Sequence, residues 1–314
     1  MRAAVRSGGS VLGIDPGTSR WGFVFLEGGK VVEEKSIPTP QIKANLNAVV
    51  ELAKCAQLVV GPSGYGIPLK KVADLTEMDF LEILLKHPGE KTVMGLETVL
   101  RAFKEANINA YVLPGVKLLP TVAERKKKNK IDMGTPDKLC AAVAGIVDQS
   151  RRLKLHYNET SFILAEIGFG FDAFIAVEGG RIIDGIGGAM SSSTWRGEDG
   201  EILYLKGGVG KEELRKGDVA VKKVCAGALR DINMLLEDFK PREILVSGSK
   251  SAEVFGFLKT QLKNVVHLNT CKSSNAAYGA AVIADGLAGG EFKDLIGLIG
   301  IKEARGGNLD YVRF

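Results

Sequence analysis

The stretch from Val11 to Ser19 places a carboxylate and two hydroxyls in a glycine-containing turn between two apolar runs. Glycine lets the backbone come close to a ligand, and successive turn N–H groups beside a hydroxyl, such as that of Thr18, form a concavity that suits phosphate. Asp15, at the end of a predicted buried strand, is a natural partner for Mg²⁺ or for a water bound to it. The alternative is an ordinary hairpin turn, and this motif alone does not decide between them.

A second copy of the motif appears when the sequence is shifted along itself by 151 positions. The paired positions are Asp15 with Glu166, Gly17 with Gly168, Phe23 with Phe174, Glu27–Lys30 with Glu178–Arg181 and Val31–Val32 with Ile182–Ile183. A carboxylate, a glycine and a hairpin turn therefore recur at the same internal distances. This pattern predicts two related lobes, each presenting an acidic turn. A nucleotide held between the two turns is the simplest use of such a duplication.

These residues resemble the superfamily of acetate and sugar kinases, heat-shock chaperones and actin. The first turn resembles its phosphate-1 loop, and the second, Ala165–Gly170, resembles its phosphate-2 loop. The nearest resemblance is to an archaeal group usually described as predicted butyrate kinases. It implies an α/β protein with a two-lobed, duplicated actin-like (ribonuclease H-like) fold and a central nucleotide cleft. We expect an N-terminal lobe at 1–155 and a C-terminal lobe at 156–314, with the last helix able to pack back on the first lobe.

The resemblance also implies ATP and Mg²⁺ as cofactors. Asp15 and Glu166 would hold the metal and its water shell, with Asp15 also counted as a catalytic residue. Ile244–Val246 reads as a buried strand running into a turn that resembles the adenosine motif of the superfamily, although Ser249 replaces the second glycine of that motif. The expected nucleotide-binding residues are Gly17, Thr18, Ser19, Gly168, Gly170, Gly248 and Ser249. The second phosphate turn has Phe169 where many relatives have a polar residue, so contact there would be made by the backbone.

The acceptor side of the site is less defined. Thr135 is a suitable cap for a helix with Pro136 in its first turn, and the start of that helix would favour an anion. Arg196, in the polar loop that begins at Ser191, could form a forked pair with a carboxylate, unless the loop is simply a flexible surface segment. Asp132 or Arg196 would act at the acceptor, but nothing in the sequence fixes which.

Composition limits the remaining classes of function. The chain has 314 residues, 45% hydrophobic and 25% charged, with a net charge of +5 and no run near the roughly 18 apolar residues of a membrane span. The basic run Arg125–Lys130 has no interleaved aromatic residues, which does not favour nucleic acid and suggests a solvated loop. Four widely spaced cysteines without a CxxC pair predict free thiols in a reducing cytoplasm. A zinc site is not expected.

The leading hypothesis is therefore ATP- and Mg²⁺-dependent phosphoryl transfer to a small acceptor, and the nearest resemblance implies a short carboxylate. The expected partners are a nucleotide and a small-molecule substrate, and no membrane association is expected. The protein could form a homodimer. One alternative is a nucleotide-gated binding or regulatory protein that transfers no phosphate to a small molecule. Another is a sugar kinase, against which the lack of a clear Asp-plus-Asn sugar site counts. Fold alone cannot choose among these.

Overall fold

The structure is a computed structural model that describes residues 9–86, 95–193, 200–215 and 219–313. The strands of this part of the chain are β1 Val11–Pro16, β2 Arg20–Glu27, β3 Lys30–Pro38, β4 Leu58–Val60, β5 Lys70–Lys71, β6 Ala110–Val112, β7 Ser161–Ile167, β8 Asp172–Glu178, β9 Arg181–Ile186, β10 Glu243–Ser247 and β11 Val265–His267. The helices are α1 Thr39–Ala44, α2 Leu46–Lys54, α3 Glu77–Leu84, α4 Leu96–Glu105, α5 Glu124–Lys127, α6 Pro136–Leu153, α7 Gly200–Leu205, α8 Val221–Asp238, α9 Ser251–Gln261, α10 Asn275–Leu287 and α11 Lys293–Ile299.

Two mixed sheets organise these elements, with the strand orders β3-β2-β1-β4-β6-β5 and β11-β10-β7-β8-β9. In the first sheet β1 runs antiparallel to β2 and parallel to β4. In the second, β7 runs antiparallel to β8 and parallel to β10. The α/β class and the duplicated topology predicted from the sequence are therefore confirmed.

The duplication extends to irregular features of the backbone. A β-bulge between Phe25 and Leu26 has its counterpart 151 positions later, between Ala176 and Val177. The turn glycines of the first hairpin, Gly28 and Gly29, have φ of 52° and 71°, and those of the second, Gly179 and Gly180, have φ of 57° and 67°. Positive φ at both central residues is typical of the tight turns that match strand twist, and glycine adopts it without strain. The internal repeat thus reflects the same chain path in both sheets.

Helices α6 and α10 pack tightly against each other. Of the 13 residues of α10, 11 are buried, as are 11 of the 18 residues of α6, and each helix contributes eight residues to one shared apolar core. Small residues make the approach possible: the backbone of Gly279 lies against the carbonyl of Cys140, and Gly13 of β1 lies against the backbone of α10 at Ala277. The small residues of α10 therefore serve its packing against α6 and β1.

The basic run is more structured than expected. Lys126 in α5 forms ion pairs of 2.6 Å with Asp184 and 3.2 Å with Asp238, and the buried Lys127 donates a 2.9 Å hydrogen bond to the carbonyl of Leu119. The expectation of a solvated loop is therefore wrong for these two lysines. Lys126 pairs with carboxylates that are distant in the sequence, and Lys127 donates to a backbone carbonyl. Arg125 and Lys128 are exposed.

The C-terminal segment contacts residues of the predicted first lobe. The side chain of Asn308 donates to the carbonyl of Gly66 at 2.7 Å, and the buried ammonium of Lys117 donates to the carbonyl of Asn308 at 2.6 Å. A short helix, α1, follows β3 at Thr39, because proline is tolerated in the first helical turn.

We expect Gly279→Ala to destabilise the protein by about 1–3 kcal/mol or more, because a Cβ there would meet the carbonyl of Cys140. The matched control is Gly256→Ala in α9, where a Cβ has open space and alanine should stabilise the helix by about 0.5–1 kcal/mol. Urea unfolding of both variants measures the difference. Equal stability of the two variants would contradict the proposed packing.

Candidate functional site

A cleft of about 720 Å³ lies at the carboxyl ends of β1, β7, β10 and β11, the edge at which open α/β sheets bind ligands. It brings together most of the residues predicted for the site, namely Asp15, Gly17, Thr18, Ser19, Asp132, Glu166, Gly168, Gly170, Gly248 and Ser249. Thr135 also lines the cleft. Arg196 lies outside the described residues, so its predicted position at the acceptor stays a prediction.

The two acidic turns have the same local construction. In the first, a Cβ on Gly17 would meet the carbonyl of Arg20, and in the second, a Cβ on Gly168 would meet the carbonyl of Phe171. Glycine is required in both turns because the returning chain leaves no space for a side chain. In both turns this close approach comes at the same distance from the carboxylate. Each turn thus places its carboxylate, Asp15 or Glu166, beside a closely approaching backbone.

The second turn is held in place by hydrogen bonds to the carboxylate of Asp172. The N–H of Gly168 donates to the carboxylate of Asp172 at 3.0 Å, and the hydroxyl of Ser193 donates to the other oxygen of Asp172 at 2.6 Å. The hydroxyl of Ser191 lies 2.7 Å from that of Ser193 and donates to Asp231 in α8 at 2.9 Å. The Gly168 amide is therefore engaged within the turn, although Gly168 itself lines the cleft.

Three carboxylates face one ammonium at the bottom of the cleft. Lys138 Nζ lies 3.1 Å from Asp137 Oδ2 and 4.0 Å from Glu166 Oε1, and the Ser274 hydroxyl donates to Asp15 Oδ2 at 2.6 Å. Burial opposes the charge of Lys138, but Asp137 and Glu166 outweigh it and raise the pKa of this lysine. The ammonium therefore stays charged at neutral pH.

The carboxylates respond to the same crowding. Burial, followed by the negative charge of Asp137, raises the pKa of Asp15 to about 7. Burial also raises the pKa of Glu166, although Lys138 opposes the shift. For Asp137, burial is offset by the adjacent Lys138, so the pKa of this carboxyl is lowered. Three carboxyl groups thus share one ammonium, and the pKa values of two of them, Asp15 and Glu166, are raised.

This cluster fits a divalent cation completed by a ligand. Glu166 Oε2 is buried without a hydrogen-bond partner in the described part of the chain. No group of three histidine, cysteine or acidic side chains within the described ranges could hold a metal by itself. Mg²⁺ in phosphate-transfer sites is usually held by one or two carboxylates together with water and substrate phosphates. Asp15 and Glu166 fit that arrangement, whereas a closed protein cage does not.

The turn after β10 is joined to the second acidic turn. Gly248 has φ of 104° and lies against the backbone of Ile167, to whose carbonyl the N–H of Lys250 donates at 3.0 Å. Phe169 is 51% exposed in the cleft, with Lys250 Nζ 5.6 Å from its ring centroid. The turn predicted to approach a nucleoside and the turn predicted to approach phosphate are therefore adjacent.

The predicted acceptor end is acidic. The buried Asp132 accepts a 2.7 Å hydrogen bond from the N–H of Gly134, and Glu201 accepts one of 3.3 Å from the N–H of Ala189. Both carboxylates lie against Gly188, whose φ is 55°. Ser191 and Ser193 are buried, so the alternative of a flexible surface loop does not hold for the start of the segment leading to Arg196.

Sequence reasoning missed three members of the charged cluster: Asp137, Lys138 and Ser274. The sequence could have indicated the first two, because an acidic and a basic residue lie together in the first turn of a helix whose buried face is otherwise largely apolar. Ser274 is the N-cap of α10 and accepts from the N–H of Ala277. Its role as a donor to Asp15 depends on a packing that sequence does not reveal.

The chain belongs to the family described as "Protein of unknown function (DUF1464)", whose model matches residues 13–314. No curated protein matches the chain. In the described ranges no helix is long and apolar enough to cross a membrane.

Several solved structures are similar. A propionate kinase from Francisella tularensis is 10% identical, with 87% of this chain and 98% of that chain covered and a TM-score of 0.54. A polyphosphate/ATP-glucomannokinase from an Arthrobacter strain is 15% identical, with coverage of 88% and 98% and a TM-score of 0.48. An acetate kinase from Entamoeba histolytica is 13% identical, with coverage of 80% and 84% and a TM-score of 0.46. Of these three, the propionate kinase exceeds a TM-score of 0.5, and at this identity it shows a shared fold, the actin-like fold predicted from the sequence.

We expect Asp15→Asn to raise the melting temperature of the metal-free protein at pH 8 by a few degrees. The folded-state pKa of about 7 lies above the ordinary value of 3.8, so the folded state binds more protons between these values and stability falls as pH rises through that window. Asparagine removes the repelled charge. Melting curves at pH 4 and pH 8 should show the difference growing with pH, and a destabilised variant at pH 8 would contradict the charge crowding.

Proposed function

We propose that this protein transfers the terminal phosphoryl group of Mg-ATP to a small acceptor. The observation that carries the proposal is the convergence of two equivalent acidic turns on one cleft, with Asp15 and Glu166 placed around Lys138. Phosphoryl transfer depends on positioning and charge neutralisation more than on covalent help from the protein. A cleft with a metal-compatible carboxylate pair, a fixed ammonium and glycine turns provides both.

The proposed roles follow the geometry. Asp15 and Glu166 would hold Mg²⁺, which when bound neutralises charge on the transferring phosphate. The amides of Gly17, Thr18 and Gly170 would hold phosphate oxygens. Gly248 and Ser249 would flank the nucleoside, where Gly248 permits a close approach of the backbone. Lys138, fixed by its two carboxylate neighbours, would stabilise negative charge near the reacting oxygens.

The proposed acceptor is a short carboxylate, as the resemblance to predicted butyrate kinases implies. In the transfer, a carboxylate oxygen would bond to the γ-phosphorus, and the bond from that phosphorus to the β,γ-bridging oxygen would break. ADP leaves with the electron pair, and an acyl phosphate forms without a proton transfer. Thr135 and Arg196 would face the acid, while Asp132 would order this end of the cleft through the amide of Gly134.

A second candidate is a nucleotide-gated regulatory protein that binds Mg-ATP without an acceptor. The exposed Phe169 in the second phosphate turn favours it, because an aromatic side chain there supplies no group for phosphate. The two functions share the nucleotide site and differ in whether a small molecule accelerates ATP use.

We expect Glu166→Gln to weaken Mg-ATP binding by about 10- to 100-fold, a typical loss when one residue of a metal's environment is changed. The matched control is Glu178→Gln, the same change at an exposed carboxylate of the same hairpin. Isothermal titration calorimetry with Mg-ATP measures both. Equal affinity in the two variants would remove the metal assignment.

An ATP-consumption screen over short carboxylic acids and sugars tests the transfer itself. We expect an acid to stimulate ADP release, and Arg196→Lys to raise KM for that acid with little change in KM for ATP, because lysine keeps the charge but loses the forked donor. Binding of Mg-ATP without stimulation by any acid or sugar would contradict transfer and favour the regulatory function.

A further inference from the structure

A second cavity of about 240 Å³ adjoins the cleft. We call it the side chamber. Eight residues that line the side chamber also line the cleft, and they mark where the two spaces meet: Asp15, Pro16, Thr18, Gly64, Leu96, Asp137, Arg215 and Ala276. The chamber therefore opens next to the carboxylates proposed to hold the metal.

The interior of the side chamber is apolar. Its walls come from β1, β2, β4, α1, α4, α6, α10 and adjoining loops. They include the almost fully buried side chains of Ile14, Trp21, Ile42, Val60 and Leu113. Three charged residues, Asp15, Asp137 and Arg215, are at the opening, and Lys43 is exposed. A ligand that enters would thus leave a charged end at the cleft and place an uncharged part against hydrocarbon.

The hydroxyls inside the side chamber are already engaged. Ser63 Oγ donates to the carbonyl of Gly61 at 2.6 Å and accepts from the N–H of Leu113 at 2.9 Å. Thr39 Oγ1 donates to the carbonyl of Gly17 at 2.9 Å. The hydroxyl groups of a sugar would lose their hydrogen bonds to water there and find these two side chains committed elsewhere, which is unfavourable.

We propose that the side chamber binds the apolar tail of the acceptor, so that the acceptor is an amphiphilic carboxylic acid rather than a sugar. Its carboxylate would stay in the cleft, where Arg215, 2.8 Å from Glu212, supplies a cation at the opening. The transfer of phosphate to this acid rests on the proposed function above. Binding of the tail does not, because the residues of this chain form the chamber by themselves.

The volume sets the size of the tail. An apolar protein cavity of about 150 Å³ is large enough to hold benzene. The side chamber is larger than that, so it has room for a branched or phenyl group. Burying each additional methylene should improve binding roughly fourfold until the chamber is filled.

The test is a series of acids titrated into the full chain by calorimetry, without nucleotide and with Mg-ADP. We expect affinity to rise in the order acetate, butyrate, 3-methylbutanoate and phenylacetate, with no detectable binding of glucose. Ile42 lines the chamber but not the cleft. Ile42→Phe should reduce phenylacetate affinity at least tenfold, while Ile42→Val should preserve it or increase it. Leu309→Phe, at an exposed site outside both cavities, is the control and should change nothing.

The outcomes separate the two proposals. Tail-dependent acid binding without any Mg-ATP binding would support the side chamber and contradict the proposed function. Mg-ATP binding together with tail-independent acid binding, or with binding of glucose, would overturn the side chamber and leave the nucleotide site standing. Equal phenylacetate affinity in Ile42→Phe and Ile42→Val, for variants whose melting curves show a folded protein, would also overturn it.

Discussion

The crossing of α6 and α10 is the contact on which the rest of the site depends. The two helices begin at the cleft, and each begins beside a carboxylate of the opposite half of the chain. Ser274 at the start of α10 donates to Asp15 on β1, and Lys138 in the first turn of α6 lies 4.0 Å from Glu166 on β7. Both helix starts therefore direct N–H groups and partial positive charge toward the place where phosphate would lie. Gly279 permits this crossing, because its missing side chain leaves space for the α6 backbone.

The two halves share a chain path but differ in how they hold their turns. Position 172 is an aspartate that accepts from Gly168, whereas the equivalent position in the first half is Trp21, a wall of the side chamber. The first turn is held instead by the hydroxyl of Thr39, which donates to the carbonyl of Gly17. Duplication thus explains the paired acidic turns. Their divergence gives one half a hydrogen-bonded brace and the other an apolar cavity.

Much of the fold was predictable because short sequence patterns determine its strands, turns and helix starts. The apolar runs around Asp15 and Glu166, the glycine hairpins and the proline at the start of α6 predicted their elements, and the repeat predicted that the carboxylates would face one cleft. The charged cluster was less accessible. The contacts of Lys138 and Ser274 with the carboxylates form only when two helices that are distant in the sequence pack together. The pairing of Lys126 with Asp184 likewise joins positions that no local pattern connects. The side chamber is likewise a consequence of packing among seven helices and strands.

The central claim is that one metal–nucleotide complex lies between Asp15 and Glu166. A crystal structure of the protein with Mg²⁺ and a non-hydrolysable ATP analogue tests it most directly. The account predicts Mg²⁺ coordinated by Asp15 or Glu166, directly or through water, with phosphate against the turn at Gly17 and the nucleoside beside Gly248. A nucleotide bound outside this cleft, or a metal coordinated by neither carboxylate, would contradict the account.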